Sequence, residues 1–152
     1  VEQSLSSVDL NEVAKEVTAH IRTLVSEKKA TVKYGKLPTI HADKTQMFQL
    51  FLNLIVNGIK YNNSGKPHIN IKCSKEGSNY RFNFSDNGIG IPEEYHEKVF
   101  EIFQRLHDRT SYSGTGIGLT LCKKIVDRHK GQIWVEKNHP QGSTFIVQLP
   151  AQ

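Results

Sequence analysis

Two alternating stretches, His68–Ser74 and Tyr80–Ser85, are joined across the turn Glu76-Gly-Ser-Asn79. A second such pair, Gln132–Glu136 and Ser143–Leu149, is separated by Asn138-His-Pro-Gln-Gly142. Period-two alternation is the pattern of a strand with one buried face, and so short a connection joins antiparallel neighbours. Those buried faces need a cover, and helical periodicity offers one. Leu10, Val13, Ala14, Val17, Ile21 and Leu24 share a helix face that opens at Asp9, with Glu12 three residues on as in a capping box. A second helix opens near Asp43, with Gln46 three residues on, and buries Met47, Leu50, Phe51, Leu54, Ile55 and Ile59. A last helix runs from about Gly118 to His129 and stops at Gly131. With a short strand at Thr31–Tyr34 and a short helix from Pro92 through Phe100, the order predicts an α+β fold. It is a two-layer sandwich in which a mixed, mostly antiparallel sheet is covered on one face by helices.

The 152 residues suit one domain, 1–152, and the start at Val1 rather than Met points to a fragment of a longer chain. No apolar run approaches the roughly 20 residues of a membrane helix, so this domain is not expected to contact a membrane. Net charge is +5, but Lys and Arg alternate with Asp and Glu. Without a basic stripe, nucleic acid is not an expected partner. Cys73 and Cys122 lie far apart without a C-x-x-C, and the seven histidines are dispersed. That argues against a zinc site and for free thiols in a reducing, cytoplasmic setting.

Chemistry concentrates in the breaks between elements. The strand at 80–85 runs into Ser85-Asp-Asn-Gly-Ile-Gly-Ile-Pro92, where a plain turn would need one glycine, not two. A second cluster, Gly114-Thr-Gly-Ile-Gly-Leu119, precedes the last helix. Neither fits G-x-G-x-x-G or G-x-x-x-x-G-K-[ST]. Gly114, Gly116 and Gly118 either let backbone N–H groups approach an anion at a helix start or form a tight turn. Asn53, Asn57 and Lys60 recur at spacings of four and three on one side of the second helix, opposite its apolar stripe. Two amides and a lysine so aligned suit a ligand: an amide oxygen for Mg²⁺, an ammonium for phosphate.

In order and spacing, Asn53-x-x-x-Asn57-x-x-Lys60-Tyr61, Asp86–Pro92, Val99-Phe-Glu-Ile-Phe103 and Gly114–Leu119 resemble the N, G1, F and G2 boxes of sensor histidine kinase catalytic domains. The closing Gly142-Ser-Thr-Phe-Ile-Val-Gln-Leu-Pro150 is similar to that family's last strand, so the resemblance covers essentially the whole chain. It implies that ATP·Mg²⁺ binds between helices and glycine loops, with Asp86 accepting from the adenine amino group and Thr144 adding a water-mediated contact there. It further implies that Gly88, Gly90, Ile91, Gly114, Thr115, Gly116, Gly118, Leu119 and Tyr61 line the nucleotide. Asn57 is the implied Mg²⁺ ligand, while Asn53, Lys60 and Arg105 would neutralise phosphate charge. Phe100 and Phe103 would anchor the loop to the core, and the polar segment Arg105–Ser113 is expected to be ordered by the γ-phosphate.

Gly58 stands where the family more often has Ala, and Asn62-Asn63 replaces its usual small-residue-plus-Pro turn. Related gyrase-like and Hsp90-like ATPases carry a glutamate base where this chain has Asn53, and an amide takes no proton at neutral pH. The family's acceptor is a histidine on a helical hairpin, followed closely by an acid and an arginine. None of the seven histidines has that context, so the hairpin is expected upstream of Val1, in a homodimeric parent that also meets a response regulator receiver domain. The competing readings are an ATPase and a nucleotide-binding module without chemistry.

Overall fold

The computed structural model describes residues 3–101 and 117–151. Strands β1 (Ser6–Asp9) and β3 (Thr39–Ala42) form a two-stranded antiparallel sheet. Strands β2 (Thr31–Tyr34), β4 (His68–Glu76), β5 (Asn79–Asp86), β6 (Gln132–Lys137) and β7 (Ser143–Pro150) form a five-stranded sheet of order β2-β4-β5-β7-β6. Only β2–β4 is parallel, and both hairpins expected from the alternation, β4–β5 and β6–β7, are present. Helices α1 (Leu10–His20), α2 (Arg22–Lys28), α3 (Lys44–Lys60) and α4 (Ile117–Arg128) supply the cover.

The apolar stripes meet as the periodicity requires. Phe82 and Phe84 of β5 point towards α3, where Phe51 contacts both edge-on, at centroid distances of 6.5 and 5.1 Å. Met47, Leu50, Ile55, Ile69, Ile71 and Ile125 are completely buried around them. Burial of each such side chain is worth about 1.5–3 kcal/mol, so this interlayer core is the main source of stability.

Several elements differ from the sequence expectation. The first helical stretch bends at Ile21, although Ile21 N–H still reaches Val17 O and Val25 N–H reaches Ile21 O. At its start Asp9 caps the N–H of Asn11, and no capping bond joins it to Glu12. From Pro92 to Phe100 the chain makes two single 3-10 turns, Glu93–Tyr95 and Lys98–Phe100, rather than one helix. At the end of α4 the left-handed residue is Lys130, with φ of 60°. Gly131 is needed instead because a Cβ there would collide with the carbonyl of Gln148 in β7.

Helices α3 and α4 are locked together where α3 starts. Asp43 caps α3, Oδ1 accepting from Gln46 N–H at 3.0 Å and Oδ2 from Ser4 N–H at 2.8 Å. Its own N–H donates to His129 Nε2 at 3.1 Å, and His129 Nδ1–H donates to Ile125 O at 2.7 Å. One neutral tautomer satisfies both bonds. The Ser4 and Gln46 N–H groups hold the Asp43 carboxyl below its ordinary value against the opposing effect of burial. Folding thus favours its ionised form; the stability this adds is present at neutral pH and is lost as the pH falls through that lowered value. Replacing His129 with Phe leaves the Asp43 N–H buried without its acceptor. We expect this variant to lose about 1–3 kcal/mol in urea unfolding; an unchanged midpoint would contradict the assignment.

Candidate functional site

Where β5 leaves the sheet, strand alternation turns Asp86 to the same side as Phe82 and Phe84, towards the helices. It lies directly beneath α3: a Cβ on Gly58 would stand 3.1 Å from the Asp86 Cβ and collide with the end of Ile69. The absence of a methyl group at Gly58 therefore leaves no vacant space, because Ile69 occupies it. Asp86 Oδ1 accepts from Gly88 N–H at 2.9 Å and from Ser143 N–H at 3.1 Å. Oδ2 receives no hydrogen bond among the described residues. Burial pushes this carboxyl up to about 6, with the two N–H groups opposing the rise. At neutral pH it is a half-buried anion with one oxygen left to accept.

The paired glycines of the following loop have separate causes. A Cβ on Gly88 would collide with the carbonyl of Tyr61 at the end of α3, which accepts from Ile89 N–H at 3.0 Å. Gly90 has a φ of 78°, the left-handed region that side chains avoid. The loop is also gripped by side chains. Asn87 Oδ1 accepts from Asn62 Nδ2 at 2.7 Å and from His68 N–H at 2.8 Å, and Asn87 Nδ2 donates to Lys66 O at 3.2 Å. His96 Nε2–H donates to Ile91 O at 2.8 Å. Asn62, one of the departures from the family pattern, thus holds the loop that carries Asp86.

Helix α3 brings Asn53, Asn57 and Lys60 to one side, half-buried, half-buried and exposed in turn. Asn53 Nδ2 donates to Gln49 O at 2.9 Å, and its Oδ1 would stand 3.2 Å from a Cβ on Gly118. The start of α4 therefore packs on the polar side of α3 and leaves room there for an amide but for no extra side chain. Leu119 is buried in the core beside it. Phe100 packs edge-on to Phe145 at 6.1 Å, and its carbonyl accepts from Thr120 Oγ1 at 3.2 Å, so this aromatic is an anchor as expected. Phe103, Arg105, Gly114, Thr115, Gly116 and the whole of 105–113 lie outside the described residues.

Thr144 pairs with Ser85 in the β5–β7 ladder, and their hydroxyls meet at 2.9 Å. Alternation puts both side chains on the sheet face opposite Asp86, so Thr144 is not brought to the carboxylate. The neighbouring Ser143 is, through its backbone N–H. A main-chain donor leaves no trace in residue type; the nearest signal was Gly142, which precedes it.

Among the described residues no group of three or more His, Cys, Asp or Glu could hold a metal. A cation here would need ligands from another source, with Asn57 contributing at most an amide oxygen.

Because folding raises the Asp86 value, the folded chain holds that proton more tightly than the unfolded one, and Asp86 lowers stability as pH rises from about 4 to about 6. Asp86→Asn keeps an acceptor for both N–H groups and removes the charge. We expect the variant to unfold at the same or higher urea concentration than the parent at pH 7, with the difference shrinking towards pH 4. A difference independent of pH would contradict the buried carboxylate.

The family model described as histidine kinase-, DNA gyrase B-, and HSP90-like ATPase matches residues 42–152. Phytochrome-like protein Cph1 of Synechocystis sp. is 42% identical over 146 residues, which cover 96% of this chain and 20% of that protein. Adaptive-response sensory kinase SasA of Rippkaea orientalis is 36% identical over 142 residues, covering 91% of this chain and 36% of that one. The chain thus spans about a fifth to about a third of the length of these relatives. Among solved structures, the nucleotide-free catalytic domain of histidine kinase ThkA superposes with a TM-score of 0.84 at 29% identity, covering 98% of this chain and 97% of that one. On this evidence the chain belongs to the histidine kinase-, gyrase B- and HSP90-like ATPase family, and its relatives there are histidine kinases.

Proposed function

We propose that this chain is the ATP-binding catalytic half of a two-component sensor kinase. It binds ATP·Mg²⁺ and passes the γ-phosphoryl group to a histidine on a separate helical hairpin of the same protein. The observation that carries this reading is the polar side of α3: two amides and a lysine, and no Asp or Glu anywhere along Lys44–Lys60. Such a surface can bind and neutralise phosphate but cannot take a proton from water, which separates a kinase from an ATPase. The support from relatives is of the same kind, since the solved structures include full-length ShkA with AMPPNP (25% identity, TM-score 0.82) and ThkA with the response regulator TrrA.

Each residue then has a task. Asp86 Oδ2 accepts from the adenine amino group; a guanine carbonyl at that point would face a buried carboxylate, which is costly. Gly88, Gly90, Ile91, Tyr61 and Leu119 shape the base site. Mg²⁺, arriving on the phosphates, would neutralise their charge with Asn57 as its one protein ligand, consistent with its habit of keeping waters and phosphate oxygens. Asn53 and Lys60 neutralise charge on the triphosphate, a task in which Arg105 would join them. In the transfer the bond between the γ-phosphorus and the leaving ADP oxygen breaks as a bond to the acceptor imidazole nitrogen forms. The imidazole comes from a hairpin that we place before Val1, and the product is then available to a receiver domain.

Incubation with γ-labelled ATP tests this. The chain alone should bind ATP·Mg²⁺, hydrolyse it very slowly and acquire no label. Adding a histidine-bearing hairpin from the parent protein should give an acid-labile, base-stable phosphohistidine, weakly because tethering is absent. Rapid hydrolysis by the chain alone would favour the ATPase reading. In calorimetry, Asp86→Asn should weaken ATP binding about tenfold to a hundredfold. Asn57→Ala should lose more affinity with Mg²⁺ than without it; equal losses would remove Asn57 as the metal ligand.

A further inference from the structure

We propose that the β6–β7 turn, Asn138–Gly142, is a positioning element that sets the adenine-reading geometry of Asp86, an inference that rests on the nucleotide reading above. The turn belongs to none of the four boxes and is not among the groups assigned above to the nucleotide. Its contacts all converge on the strand end that carries Asp86. Asn138 Nδ2 donates to the Asp86 carbonyl at 2.8 Å, and Gln141 Nε2 donates to the Gly88 carbonyl at 3.0 Å. Ser143 N–H, immediately after the turn, donates to Asp86 Oδ1 at 3.1 Å. Asn138 N–H closes the turn on Gly142 O at 3.0 Å.

These bonds stand where the sheet stops. The last paired residues of β5 and β7 are Ser85 and Thr144. One step further β5 no longer has a ladder partner in β7, although Asp86 still pairs with Ile69 of β4, and on the β7 side the side chains of the turn take over. Gly142 makes the approach possible. Its φ is 102°, and a Cβ there would collide with the Asp86 carbonyl and stand 2.9 Å from Asn87 Cα. The turn backbone thus lies directly on the Asp86–Asn87 peptide, and two amide donors clamp the carbonyls on either side of Asn87. With Oδ1 bound by Gly88 and Ser143, rotation of the carboxylate is fixed, and Oδ2 keeps one direction. Asn138 is half-buried and Gln141 exposed, so neither is required to complete the core. Their bonds act on the orientation of Asp86 rather than on the packing of the layers.

The readout is discrimination between purines. Inosine triphosphate carries an oxygen where ATP carries the amino group, so the ratio of the two affinities reports how well Asp86 is aimed. Both are titrated calorimetrically with excess Mg²⁺. The parent chain should prefer ATP, and Asp86→Asn should abolish the preference. Asn138→Asp keeps size and removes the donor; combined with Gln141→Ala it should reduce the ATP-to-ITP ratio by about tenfold while leaving ITP affinity unchanged. A general loss of structure would weaken both nucleotides alike, and the exposed Gln141→Ala alone carries the same test should the double variant unfold. A parent-like ratio in these variants would overturn the inference while leaving the nucleotide reading intact. No preference in the parent, or a preference surviving Asp86→Asn, would overturn both.

Discussion

The site depends on how a single carboxylate is held. Asp86 is buried enough to raise its proton affinity, yet two backbone N–H groups on one oxygen keep it an acceptor at neutral pH and leave the other oxygen available. Everything nearby serves that arrangement. Gly58 lets α3 lie on it, Gly88 lets the loop close on the end of α3, and Gly142 lets the opposite turn lie on its peptide. Asn87, tied to Asn62, His68 and Lys66, holds the loop from the other side. A hydrogen-bonding group fixed in this way discriminates because the wrong partner leaves it desolvated and unpaired.

A second constraint keeps the two helices that frame the site in register. His129, at the end of α4, accepts from the N–H of Asp43 at the start of α3. The beginning of α4 meanwhile packs against the Asn53 amide. The two contacts lie far apart along the helices and fix both position and rotation of α4 against α3. The N-terminal segment joins the same junction through the bond of Ser4 to Asp43.

Periodicity made most of this fold legible. The two hairpins, α3 and α4 were readable because their apolar residues recur at unambiguous spacing and turn residues bound them. Strands β1 and β3 were not: each is four residues long, and only Val8, Ile40 and Ala42 are buried along them, too few to show a period. The bend at Ile21 leaves the apolar stripe unbroken, so the pattern reads straight through it. At the candidate site, Asn53, Asn57, Lys60, Asp86, Gly88 and Gly90 stand out in the sequence because side-chain chemistry or its absence marks them. Thr144 lies on the sheet face opposite Asp86 because one residue along a strand exchanges faces. Ser143, Asn138 and Gln141 act through main-chain atoms or on them, and residue type alone does not announce that.

Asp86, on the reading proposed above, is an ionised, half-buried acceptor for the adenine amino group. The most direct measurement is the pH titration of its carboxyl carbon by NMR, with the chain labelled at aspartate and the signal assigned through Asp86→Asn. In the free chain the midpoint should lie near 6. With saturating ATP·Mg²⁺ it should move to lower pH, because a donor on Oδ2 stabilises the anion. A midpoint that stays in place when ATP binds would contradict the account, since the nucleotide would then bind without engaging the group on which the site is built.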